Sequence, residues 1–176
     1  MGLIDRRYLK EEVSAVRTII SNKRGAALVE FAIVVLLLFT LLFGIIEFSL
    51  MIKDYLTVSQ GAREGARCAS LRGTVDEVTQ RVENSVPGFS QDQIDALTVT
   101  PGYRVQNNNG TWPTTWTENA LPAANDASIE GKEVQVKVKV TYPHPTITGS
   151  LFGLGSTIML SGNMVWRREG MPPPAT

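Results

Sequence analysis

A chain of 176 residues has room for one folded domain of ordinary size beside a membrane segment, and excludes a large multidomain enzyme. Its 17 basic and 17 acidic side chains cancel, so bulk charge offers nothing to a nucleic acid or a strongly acidic partner. The single cysteine, Cys68, excludes an internal disulfide and a cysteine-built metal cage, and reads as a small apolar helix residue.

The first 25 residues are a basic leader, with Arg6, Arg7, Lys10, Arg17, Lys23 and Arg24 set against Asp5, Glu11 and Glu12. An apolar run follows directly, Ala26 to Ile46, whose 21 residues would make about 31 Å of helix, the thickness of a bilayer core. The basic flank predicts a cytoplasmic N-terminus and an exported chain beyond residue 52. A cleaved secretory signal has a shorter apolar core and a small-x-small site, whereas this run continues into "EFSLMIKDYL" and reads as a signal anchor. Within it stands Glu30. An acid deep in lipid costs about 2.5–3.5 kcal/mol and is a functional candidate by default. Lying about 6 Å along the helix from Ala26, it also has a plain reading, snorkelling to the headgroups in a helix first turn whose dipole favours it. Glu47, 17 residues on and about 26 Å further along, reads as a solvated residue at the outer boundary.

Helical character continues outward. Gly61, Ala62, Gly65, Ala66 and Ala69 form a stripe of small residues beyond the bilayer, predicted to pack on the protein's own sheet, with a helix of another subunit as the alternative. "GTVDEVTQRVENSVPG" predicts a separate short helix: Thr74 and Glu77 have capping-box spacing, Val75, Val78, Val82 and Val86 share a face, and Pro87-Gly88 stops it. "SQDQIDAL" predicts a further helical turn and "LTVT" an edge strand interrupted by Pro101-Gly102. The Asn-, Thr- and Pro-rich segment 107–128 reads as a long exposed loop, in which Trp112 and Trp116 either cover a small core or meet a glycan or partner. In "KEVQVKVKVTY", Val134, Val136, Val138, Val140 and Tyr142 alternate strictly with polar residues, the period of a half-buried strand, which Pro143 and Pro145 are expected to end. After the glycine-rich "TITGSLFGLGS", a partner strand puts Ile158, Leu160, Gly162, Met164 and Trp166 on one face.

No catalytic constellation emerges. His144 is the only histidine, so a histidine-based metal site has one candidate ligand, and the "GLG" at 153–155 lacks the strand-to-helix setting of a phosphate loop. No enzyme activity, metal or cofactor is expected.

Two stretches carry a family resemblance. "RGAALVEF", with a basic residue and a glycine before the apolar helix and Glu30 at the fifth position from Ala26, resembles the class III signal of type IV pilins and pseudopilins. The resemblance implies a prepilin peptidase cut between Gly25 and Ala26 on the cytoplasmic side, N-methylation of Ala26, and a role for Glu30 in setting register as subunits assemble. The chemistry suits it: the cut turns the Ala26 amide into an amine with a reference pKa near 8, and Glu30 lies one helical turn away on the same face, able to reach its own amine or a neighbour's. "ALVEFAIVVLLLFTLLFGIIEF" with "QGAREGARCAS", and again "VQVKVKVTYPHP" with "SGNMVWRRE", resemble the TadE-like minor pilins of tight-adherence (Flp) systems; residues 74–130 carry no family signature.

The expected architecture is α+β, a long N-terminal helix whose outer half packs on a small antiparallel sheet. The expected organisation is a leader at 1–25 removed on maturation, a transmembrane helix at 26–52 and an exported domain at 53–176. The resemblance implies a single-pass protein of the bacterial inner membrane whose C-terminal domain is periplasmic and then part of a pilus or extracellular. Its partners would be the prepilin peptidase, the inner-membrane assembly platform, other major and minor pilins and membrane lipid, in support of pilus biogenesis, adhesion and biofilm formation. The alternative is an unprocessed, signal-anchored periplasmic binding protein or adhesin.

Overall fold

The structure, a computed structural model, describes residues 23–123, 126–149, 153 and 155–168; most of the basic leader, and parts of the "TITGSLFGLGS" and "SGNMVWRRE" segments, lie outside them. The elements are α1 (Lys23–Ser70), α2 (Val75–Asn84), α3 (Gln91–Asp95), β1 (Thr98–Val105), β2 (Thr117–Glu118), a 3-10 turn (Ala127–Ile129), β3 (Val134–Pro145) and β4 (Thr157–Arg167). They form two compact units, Met1–Ile46 and Glu47–Thr176. The fold is α+β, with one antiparallel four-stranded sheet in the order β2-β1-β3-β4.

In the first unit α1 is apolar on every side. Leu28, Phe31, Leu36, Leu37 and Leu41 are all more than half exposed, and the most apolar 18-residue window has a mean hydropathy of 2.8 with none of it buried. A helix that is hydrophobic all round is stable only inside a core or in lipid, and by length and composition this one is able to cross a membrane. Thr40, the one hydroxyl in the run, donates to the Leu36 carbonyl at 2.9 Å and so presents no free donor.

In the second unit α1 is amphipathic. Asp54, Val58, Gly61, Ala62, Gly65, Ala66 and Ala69 are buried, a stripe recurring every three to four residues. Their smallness is demanded by the fit. A Cβ on Gly65 would stand 2.6 Å from Val82 Cγ2 and 3.1 Å from Val138 Cγ1, and one on Gly61 would stand 3.0 Å from Val86 Cγ1. The stripe is thus occupied by α2 and the sheet of the same chain. From the other side, a Cβ on Gly162 of β4 would meet Ser59 Cα and the Val58 carbonyl oxygen, each at 2.9 Å, so β4 presses against the helix backbone.

The predicted capping box opens α2. The Glu77 N–H donates to Thr74 Oγ1 (3.3 Å) and the Thr74 N–H donates back to the Glu77 carboxylate (2.8 Å). Val78, Val82 and Val86 enter the core, and Gly88 turns the chain with φ +86. Phe89 then packs on Tyr142 with ring centres 4.8 Å apart, and Gln93 of α3 donates to Tyr142 Oη at 2.9 Å.

Both proline-bearing strands run further than their sequences predict. β3 continues through Pro143 and Pro145 because of where their missing donors would have pointed. Even-numbered β3 residues bond toward β4, as in Arg168 N–H to the Val134 carbonyl (2.8 Å) and the Thr146 N–H to the Ser156 carbonyl (3.0 Å); odd-numbered ones bond toward β1, as in Gln106 N–H to the Glu133 carbonyl (2.9 Å). The β1 ladder ends at the pair Thr98 and Thr141, so the prolines fall on a side of β3 that has no ladder to break. β1 likewise passes through Pro101-Gly102 and is an inner strand rather than an edge. Pro101 faces the β2 side, where only Gly102 and Tyr103 are paired, and its carbonyl accepts the Asn119 N–H at 2.7 Å. On β4 the expected inward row holds for Leu160 and Gly162, weakens at Ile158 and Met164, and ends at Trp166, which is 41% exposed.

Candidate functional site

The residues singled out for processing lie at the start of α1. Gly25 and Ala26 are in its first turn, and Glu30 is exposed one turn further along. Gly25 has open space where a Cβ would be and no left-handed backbone angle. In a helix, glycine costs roughly 0.5–1 kcal/mol relative to alanine, so neither packing nor backbone geometry calls for it here.

The second unit holds a pair of polar clamps between α1 and the end of β3. His144 continues the inward alternation of β3, and Asp54 begins the buried stripe of α1; His144 Nδ1 and Asp54 Oδ2 are 2.8 Å apart, with side chains 5% and 7% exposed. A carboxylate only accepts, so the ring proton sits on Nδ1. Lys53 Nζ, 3.6 Å from the other Asp54 oxygen, adds a cation from the exposed side. Two turns nearer the apolar run, the Glu47 carboxylate accepts the Ile147 N–H on both oxygens (3.0 Å each) and the Thr148 N–H at 3.2 Å. Glu47 is therefore half-buried and engaged, not merely the solvated boundary residue its position suggested: two backbone donors bond its carboxylate. Both clamps were detectable in part. Each acid sits on the face that the small-residue stripe defines, and His144 keeps the two-residue period past Pro143.

The Trp-bearing loop folds back on the outer face of the sheet. The Arg104 guanidinium lies 4.5 Å from the Trp116 ring centre and 5.4 Å from that of Trp112, while Lys137 Nζ lies 4.9 Å from Trp116. Arg104 also donates twice to Gln135 Oε1 (2.7 and 2.9 Å) and once to the Pro113 carbonyl, and Lys137 pairs with Glu118 at 2.9 Å. The Lys137 ammonium holds the Glu118 carboxyl below the usual carboxylate range. The tryptophans thus cover cations on the wet face rather than an apolar core.

Burial pushes the half-buried Cys68 thiol up, away from thiolate chemistry, with Glu77 adding to the effect. Arg168 is 6% exposed; Nη2 donates to the Ala123 carbonyl at 3.4 Å and Nη1 has no hydrogen-bond partner, and burial, then Arg72, lowers its pKa. Among the described residues no three His, Cys, Asp or Glu side chains come together as a metal site.

Residues 25–67 match the family model of TadE-like proteins. The TadE-like stretch covers the apolar run and the packed stripe as far as Arg67, and stops before the sheet. No curated protein and no solved structure matches the chain.

Proposed function

We propose that this protein is a minor pilin or pseudopilin of a tight-adherence (Flp-type) pilus, cut between Gly25 and Ala26 by a prepilin peptidase, methylated at Ala26, and passed from the inner membrane into the pilus. The observation that carries the reading is the coincidence, inside one TadE-like stretch, of a glycine that the fold does not require and an acid one helical turn beyond the alanine that follows it. Before the cut, Ala26 offers a neutral amide. Afterwards it offers a cation, and Glu30 stands on the same helix face for the subunit's own amine or a neighbour's.

The role is structural, and its partners are other pilins and the assembly platform, with biogenesis, adhesion and biofilm formation as the outcomes served. The N-terminus stays cytoplasmic and the Glu47–Thr176 unit is exported, in keeping with the basic leader. The rival, an unprocessed binding protein or adhesin using the Trp loop, is disfavoured because both rings already face the Arg104 guanidinium, and Trp116 faces Lys137 as well. Two variants test the proposal in cells with a working prepilin peptidase. Gly25→Val should leave a full-length chain where the parent is shortened, and Glu30→Ala should be processed yet fail to enter the pilus. Normal incorporation of Glu30→Ala would remove the register role.

A further inference from the structure

We infer that the turn residues Ile147 and Thr148, just after β3, are a membrane-contacting element, with Ile147 resting in the headgroup region of the bilayer. The inference rests on the membrane-spanning reading of the apolar run and adds a second, non-helical contact with lipid.

The two clamps fix the direction of β3 along α1. Asp54 holds His144, and Glu47 holds Ile147 and Thr148. Seven residues of helix cover about 10.5 Å, and the three or four strand residues between the clamped positions cover about 10–13 Å. The end of β3 therefore tracks α1 back from Asp54 to Glu47, the first residue of the Glu47–Thr176 unit. Glu47 follows Ile46 in the chain, so backbone donors 3.0 Å from its carboxylate lie within a few ångströms of where the apolar run ends.

The chemistry of the turn fits lipid rather than water. The backbone N–H groups of Ile147 and Thr148, which an interface would otherwise have to solvate, are bonded to the Glu47 carboxylate, and the Thr148 hydroxyl lies 3.4 Å from the same oxygen. The Ile147 side chain, 66% exposed, has no place in the core, and Phe48, 59% exposed, stands next to the anchoring acid. Because its two N–H groups are already bonded to Glu47, this outward apolar side chain enters the headgroup region without leaving an unsatisfied backbone donor.

The test uses the full chain with Cys68→Ser, reconstituted in phosphatidylethanolamine–phosphatidylglycerol vesicles that contain a headgroup-level nitroxide lipid. One fluorophore is placed in turn at Ile147→Cys, at Leu41→Cys within the apolar run, and at Asn109→Cys, which follows β1 at the opposite end of the sheet from the turn. The expected result is loss of fluorescence at positions 41 and 147, with position 109 unquenched. Quenching at 41 with position 147 as bright as 109 would overturn the inference and leave the spanning reading intact. An unquenched label at 41 would remove the spanning reading, and the inference with it.

Discussion

Replacing Asp54 by alanine should cost the Glu47–Thr176 unit about 3 kcal/mol. Its carboxylate is 2.8 Å from His144 Nδ1, and the two side chains are 7% and 5% exposed, so the donor it would leave lies away from bulk water. The figure lies where two ranges meet: about 1–3 kcal/mol for orphaning a buried neutral donor and about 3–5 kcal/mol for breaking a buried ion pair. Against a typical total stability of about 5–15 kcal/mol this is a large fraction, equivalent to a fall in Tm on the order of 10 °C for a unit of this size. Asp54→Asn keeps an oxygen that accepts from Nδ1–H and should lose only about 1 kcal/mol. The assay is thermal or urea unfolding of the detergent-solubilised full chain, read by tryptophan fluorescence, for both variants, for His144→Ala and for the Asp54→Ala/His144→Ala double. The pair should be coupled, with the double costing less than the summed singles. Additivity within about 0.5 kcal/mol would refute the clamp as a direct interaction.

Two further outcomes follow from close contacts and charge. Gly162→Ala puts a Cβ 2.9 Å from the Val58 carbonyl and Ser59 Cα, backbone atoms that move only if α1 retreats, and should destabilise by about 1–3 kcal/mol in the same unfolding assay; an unchanged midpoint would contradict the close approach. Hydrogen bonds from the Thr74 backbone and hydroxyl hold the exposed Glu77 carboxyl below its ordinary value of 4.5, so its contribution is fully present above that pH and fades as pH falls through the lowered value. The gap in unfolding midpoint between the parent and Glu77→Gln should therefore narrow on acidification below 4.5, and a constant gap would contradict the charged cap.

Much of this was legible in the sequence because it is periodic or local. The apolar run, the small-residue stripe, the Thr74–Glu77 box and the alternation from Val134 to Tyr142 each announce themselves within a few residues. The misreadings have one physical source: they depended on the partner. Whether Pro143 ends a strand depends on which side of β3 still has a neighbour, and β1 stops at Thr98. Whether Pro101 marks an edge depends on how short β2 is. Glu47 and His144 are single polar residues whose roles appear only when residues 90 to 101 positions away in the chain arrive beside them. The tryptophans were ambiguous for the same reason, since the cations they cover come from β1 and β3.

The proposed cut between Gly25 and Ala26 would be a covalent change, so it is best read by mass. The protein should be purified from cells with a working prepilin peptidase and its native N-terminus determined by mass spectrometry. A chain beginning at Ala26 and carrying one methyl group is the predicted result. An intact Met1 in those cells would contradict it.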